Sequence, residues 1–175
     1  MAKAIQTKRS LVAAFRKLIA ADPYDRITVS AIASTCGVNR QMFYYHFRDI
    51  YDLTAWMVED ETNVIMKSFG DDWERAYIRL LELLRADRVV IIRMIRSVDM
   101  LSIYRLLKRQ SQSLMSLAIK QLSMRSELPT HDLGLLLEFY AAGLTEVAIR
   151  WLEEGCKESP EELLQGVRTV MRVAM

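Results

Sequence analysis

An all-α fold is what this sequence predicts, and three observations carry it. The 175 residues include only 6 Gly and 3 Pro, too few breakers for a plan built on strands and tight turns. Apolar residues recur at the i, i+3, i+4 spacing of a helix with one buried side along most of the chain. Residues 28–53, TVSAIASTCGVNRQMFYYHFRDIYDL, hold two short helical patterns joined by a Gly turn, the layout of a helix-turn-helix. The expected plan is an N-terminal three-helix unit over residues 1–50, followed by a helical bundle over residues 51–175.

Taken in order, Ala4 to Ala21 makes a first helix with Ile5, Leu11, Val12, Phe15, Leu18 and Ile19 on its apolar stripe, closed by Asp22-Pro23. Thr28 caps a second, short helix in which Val29, Ile32 and Ala33 face inward. At Cys36-Gly37 the glycine enters the left-handed conformation at no steric cost and turns the chain. Asn39 then caps a third helix of about two turns, with Phe43 and Phe47 facing inward. From Asp49 to about Ser68 a fourth helix carries Leu53, Trp56, Met57, Asp60 and Val64 and ends near Gly70. This helix suits a connector between the two parts of the chain.

The body reads as Asp71 to Arg85, a more apolar helix from about Arg88 to Leu107, and Lys108 to about Arg125, with Pro129 starting the next turn. His131 to about Glu154 repeats apolar residues through Leu133, Leu136, Leu137, Tyr140, Leu144, Val147, Ala148 and Trp151, and Ala141-Ala142-Gly143 permits close helix approach. Ser159-Pro160-Glu161-Glu162 forms a capping box with Pro at the first helical position, leading into a stripe of Leu163, Val167, Val170, Met171 and Ala174. There are no repeats and no linker rich in Pro, Gly or Ser.

The third helix gives the clearest functional signal. With the phenylalanines inside, Arg40, Gln41, Tyr44, Tyr45 and His46 occupy the rest of its surface. Arg and Gln make bidentate contacts to guanine and adenine edges, whereas Tyr hydroxyls and imidazole N–H groups suit phosphate oxygens. Met42 offers an apolar surface for a thymine methyl. Behind a capped helix and a Gly turn, the set favours a helix laid in a DNA major groove over an ordinary polar surface. Charge distribution agrees: residues 1–50 hold eight Lys or Arg against three Asp, a net +5, so a chain of net +2 leaves −3 for the remainder. A basic front end on a mildly acidic body is the footprint of one part that meets phosphates.

Thr28, Ile32-Ala33, Gly37-Val38-Asn39 and Phe43-Tyr44-Tyr45-His46-Phe47, with Asp52-Leu53 opening the next helix, resemble the DNA-binding domain of the TetR family of transcriptional regulators over Lys8 to Leu53. The stretch FYAAGLTEVAIRWLEEG with SPEELL looks like the C-terminal region of the branch that includes dihydroxyacetone kinase operon regulators. The resemblance implies base contacts from Arg40, Gln41, Met42 and Tyr45, and phosphate contacts from Thr28, Tyr44 and His46, with Asn39 at the helix start. Ile50 stands where many members have a phosphate-binding Lys, so that contact is missing or moved to Arg48. Met42 replaces a common Ser or Thr, so the operator cannot be copied from a relative.

For the body, the resemblance implies an effector pocket and a dimer. Arg93, Arg96, Asp99 and Arg105 fit either the solvent face of an amphipathic helix or, for one or two arginines, a pocket for an anionic or oxygen-rich effector. Met94, Met100, Tyr104, Met115, Phe139 and Tyr140 are the candidates to line such a pocket, although Met and aromatics at this spacing also make plain core. The last two helices would pair with their copies through Leu137, Leu144, Val147, Trp151, Leu163, Val167 and Val170. A homodimer also places two recognition helices about one DNA turn apart, as a palindromic operator needs.

Other classes fit less well. Glycine-rich phosphate loops are absent, and His46 and His131 lack Cys or carboxylates at metal-ligand spacing, so neither catalysis nor a cofactor is expected. No apolar run approaches the length of a membrane span and the first residues carry no signal-peptide core, so a cytoplasmic protein is expected. Cys36 and Cys156 read as plain thiols; a redox role for Cys36 needs an activating environment. The reading is a homodimeric, DNA-binding repressor released by a small-molecule effector. The alternative is a DNA-binding co-regulator or activator switched by a protein partner, and a closed polar cavity against a packed core beside an exposed apolar face would separate the two.

Overall fold

A computed structural model describes the backbone of residues 2–97, 100–123 and 130–174 and the side chains of residues 4–97, 100–119 and 132–172. Nine α-helices and one short 3-10 turn make up the described residues, with no strand among them: α1 (Ala2–Ala21), the turn Tyr24–Arg26, α2 (Val29–Cys36), α3 (Arg40–His46), α4 (Ile50–Phe69), α5 (Trp73–Ala86), α6 (Arg88–Ile95), α7 (Met100–Ser123), α8 (Thr130–Glu153) and α9 (Pro160–Ala174). None is long and apolar enough to cross a membrane. Asp99, Pro129, His131 and Ala174, each weighed from the sequence, have side chains outside the described residues.

Two compact units form: residues 1–61 with 89–103, and residues 62–88 with 104–175. In the first, α1 packs on α2 and α3, and Leu11, Phe15, Ile19, Ile32, Phe43, Phe47, Leu53 and Met57 are almost fully removed from water. Burying an aliphatic or Phe side chain of this kind stabilises by about 1.5–3 kcal/mol, so this cluster holds the short helices in place. Val90, Ile91, Met94 and Ile95 of α6 are buried in their turn. Arg93 donates to the Ile19 carbonyl at 2.7 Å, satisfying one of the end carbonyls that α1 leaves without an internal partner.

In the second unit α5 packs on α8 and α9, burying Ala76, Tyr77, Leu80, Leu81 and Leu84. Trp151 is 2% exposed and its indole N–H donates to the Glu158 carbonyl at 3.0 Å. Arg88 donates to the Leu152 carbonyl at 2.6 Å at the end of α8, and Arg168 of α9 forks onto Glu74 of α5.

Local signals in the sequence are matched closely. Gly37 ends α2 at φ 73°, Gly70 follows α4 at φ 55° and Gly155 follows α8 at φ 94°. The Ser159 hydroxyl accepts from the Glu162 N–H at 3.2 Å while the Glu162 carboxylate accepts from the Ser159 N–H at 2.7 Å, the reciprocal capping box. Three expectations are corrected. The apolar stretch from Arg88 breaks after Ile95, and α7 runs unbroken through 107 and 108. The break has a cause at Ser97, whose hydroxyl donates to the Met94 carbonyl at 2.7 Å and competes with the helical ladder, whereas nothing at Leu107-Lys108 interrupts it. Ile5 and Val64, placed on inward stripes, are 46% and 52% exposed.

Glycine substitutions test the turn. A Cβ at Gly37 meets nothing within 4 Å, so Gly37→Ala should destabilise only through the left-handed backbone, by about 1–2 kcal/mol in urea unfolding. At Gly134, helical and equally open, Ala should instead stabilise by about 0.4–1 kcal/mol.

Candidate nucleic-acid interface

Presentation of α3 begins with its two caps. The Thr28 hydroxyl accepts from the Ala31 N–H at 3.1 Å and the Asn39 side-chain Oδ1 accepts from the Met42 N–H at 2.8 Å. Both caps keep capacity for a ligand, because the hydroxyl can still donate and the Asn amide still carries its NH2. Between them, Gly37 donates to Ser34 and Val38 to Ala33, which closes α2 and redirects the chain.

Phe43 is fully buried and Phe47 nearly so, their rings 5.9 Å apart. This fixes the inner side of α3 and leaves Arg40, Gln41, Met42, Tyr44 and Tyr45 exposed together on the other. Tyr45 is 80% and Tyr44 50% exposed, an unusual display of aromatic surface for one short helix. Arg40 lies 3.5 Å from the Tyr44 hydroxyl and 5.9 Å from its ring centroid, so these two side chains are pre-positioned as a pair. Behind Tyr45, His46 is half-buried and stands 4.9 Å, edge to face, from its ring. Desolvation, and secondarily the charge of Lys8, holds the His46 imidazole below its ordinary range. This favours the neutral imidazole, a form that offers one N–H donor.

The corner after α3 is rigid. Asp49 caps α4 by accepting from the Asp52 N–H at 2.7 Å, and Asp52 accepts from the Arg48 N–H at 3.0 Å. The Arg48 guanidinium, highly exposed, comes within 3.7 Å of the same carboxylate. In α1, Lys8 places its ammonium 5.0 Å from the Phe47 ring centroid and 5.3 Å from that of Trp56. From the sequence, Lys8 belongs to the exposed Lys3–Arg9 end of the first helix that could reach the DNA backbone, but nothing in the linear pattern links it to those rings or separates it from Arg9. Cys36 is half-buried and its thiol is raised by burial, the opposite of an activated thiolate.

The candidate pocket residues divide between the two units. Arg93 bonds the end of α1, Arg96 is exposed at the end of α6, and Met100 is 56% exposed, all in the first unit. In the second, Met115 is fully buried, Tyr104 half-buried, and Phe139 is 72% exposed. Phe139 and Tyr140 instead join Leu144, Val147, Leu163, Val167 and Val170 along an apolar groove of about 400 Å3 between α8 and α9. Of the residues expected at a dimer contact, Leu137 is half-buried and five line this groove. Trp151 does not, because its indole is enclosed within its own unit.

With this geometry in place, comparison with known proteins is direct. Residues 11–55 match the family described as bacterial regulatory proteins, tetR family, and residues 71–172 match the transcriptional regulator C-terminal region of the same kind. The HTH-type dhaKLM operon transcriptional activator DhaS of Lactococcus lactis subsp. lactis (strain IL1403) is 29% identical over 91 residues, 51% of this chain and 49% of that protein. The match thus spans about half the length of the curated relative. Among solved structures, a dihydroxyacetone kinase operon activator DhaS superposes with a TM-score of 0.77 at 19% identity, over 97% of this chain and 96% of the other. The transcriptional regulator FadR from Bacillus subtilis in complex with stearoyl-CoA gives 0.60 at 16% identity, over 91% and 94%. These two show a shared fold. Together with the helix-turn-helix geometry, the family match over most of its length places the chain in the TetR family of transcriptional regulators.

Proposed function

We propose that the protein is a homodimeric regulator that reads a palindromic duplex operator by laying α3 in successive major grooves. The observation that carries this is the α3 surface, where Arg40, Gln41, Met42, Tyr44 and Tyr45 are exposed together on a helix fixed from behind by Phe43. Base contacts fall to Arg40, Gln41, Met42 and Tyr45, and phosphate contacts to Thr28, Tyr44, His46 and Arg48, with Asn39 at the helix start. Dimerisation through α8 and α9 is supported by the apolar groove and by Phe139 and Val170, which expose large apolar side chains beside it. Such a surface is best covered by a second copy.

In this reading the protein is a repressor, and a small molecule bound in the second unit favours a conformation in which the two α3 helices no longer match the operator. One buried group supports it: the Tyr77 hydroxyl of α5 has no hydrogen-bond partner among the described residues, and a ligand acceptor would satisfy it. A second reading, an activator switched by a protein partner, is favoured by the similarity to two proteins named as operon activators. Transcription from a promoter carrying the bound site decides the sign: purified protein should lower transcript yield as a repressor, and raise it if the activator reading holds.

Binding is tested by fluorescence anisotropy on specific and random duplexes at one salt concentration. Tyr44→Phe should weaken both similarly, whereas Arg40→Ala should cost about 1–3 kcal/mol chiefly on the specific site. Equal losses for Arg40→Ala would reassign it to a phosphate. Because the two side chains touch, their double variant should lose less than the two losses summed.

For the dimer, Val170→Glu adds a charge at a position 68% exposed within the chain, so the fold should persist. Light scattering should report monomers where the unmodified protein gives dimers, with loss of preference for a palindrome. Dimers retained by the variant would move the contact off α9.

A further inference from the structure

Three long cations on α1 engage α4, and they are not equivalent. Arg9 meets Asp60 at 3.3 Å, and Arg16 meets Glu61. Both guanidinium groups therefore have carboxylates of their own. Lys8 has none among the described residues. Its ammonium rests over Phe47 and Trp56, whose rings are 6.0 Å apart. Aromatic faces attract a cation but leave its three N–H donors free for an oxygen acceptor.

The position of this charge matters. Phe47 caps the C-terminal end of α3, Trp56 lies in the first part of α4, and the field of Lys8 reaches His46 strongly enough to disfavour its protonation. The ammonium is thus held at the corner between recognition helix and α4, beside a side chain assigned to phosphate. Its neighbours there add little free positive charge, since α4 opens with Ile50 and Arg48 is drawn to Asp52. A lysine held by two rings has also lost much of the side-chain freedom that a surface lysine would give up on binding.

We propose that Lys8 is a DNA-backbone contact, its ammonium held by Phe47 and Trp56 so that it meets a phosphate at the α3–α4 corner next to the one His46 reaches. This rests on the reading that α3 enters the major groove. Within α1 it separates Lys8 from Arg9, whose charge is directed to α4.

The test is the salt dependence of affinity, since each neutralised phosphate adds about 0.9 to the slope of log K against log salt. Lys8→Met keeps the apolar stem and removes the charge. It should weaken binding to specific and random duplexes by the same factor and lower the slope by about 1, while Lys8→Arg restores the slope. Lys8→Gln, with a polar tip, should behave as Lys8→Met does, and circular dichroism melting of both variants should match the unmodified protein. An unchanged slope in the two neutral variants overturns the proposal whatever happens to affinity, because the ammonium then only braces the rings. If the unmodified protein itself binds no duplex, the reading of α3 fails instead, so the two failures are distinct.

Discussion

A helix of seven residues, the length of α3, does not persist alone in water, because nucleation costs more than so few hydrogen bonds return. The first unit depends on overcoming that constraint. Asn39 supplies an acceptor for the first turn, and Phe43 and Phe47 anchor the inner side against a core that includes Leu11, Phe15 and Ile19 of α1. With Asn39 as cap and Phe43 and Phe47 as anchors, the remaining side chains are free to be large, polar and exposed without threatening the helix. Tyr45 can be 80% exposed because Phe43 does the holding.

Charge in the first unit is divided in a corresponding way. Arg16 and Arg9 pair with α4, and Arg93 closes the end of α1 through the Ile19 carbonyl. Exposed pairs such as Arg9 with Asp60 contribute little to stability, commonly under about 1 kcal/mol, so their main effect is to fix the direction of side chains. Arg93 does more, since it supplies a donor to a helix-end carbonyl that would otherwise lack one. Lys8, which has no carboxylate partner among the described residues, is then left for a polyanion.

How much of this could be read from sequence follows from range. Thr28, Gly37, Asn39 and the Ser159–Glu162 box act on backbone groups within three or four residues, and their geometry is as their residue types require. The identity of the α3 surface was legible for the same reason, since its inner side is set by two phenylalanines four apart. What was not legible depends on distant partners. Nothing in the stretch VVIIRMIRS indicates that α6 packs with the first unit, because a stripe of apolar residues names no partner. Arg93 fits a solvent face or a pocket equally well until the end of α1 is placed beside it. The break after Ile95 was hidden by a side chain, Ser97, that is compatible with a helix and yet turns back on the Met94 carbonyl.

Trp151 and Val170 show the same limit for the surface between α8 and α9. Both belong to broad apolar stripes, and a stripe wider than one neighbour needs must face two directions. Trp151 has an indole N–H that must find an acceptor when buried, and the carbonyl of Glu158, in the loop that follows Gly155, supplies it at 3.0 Å. That bond commits Trp151 to its own unit and holds the loop from which α9 starts. Val170 carries no polar atom and is left outside, 68% exposed, with Phe139 across the groove. The side of each helix that closes the unit is therefore selected by where its polar tip is satisfied, and the side left over, apolar but for Arg150, is the one that the proposed dimer would cover.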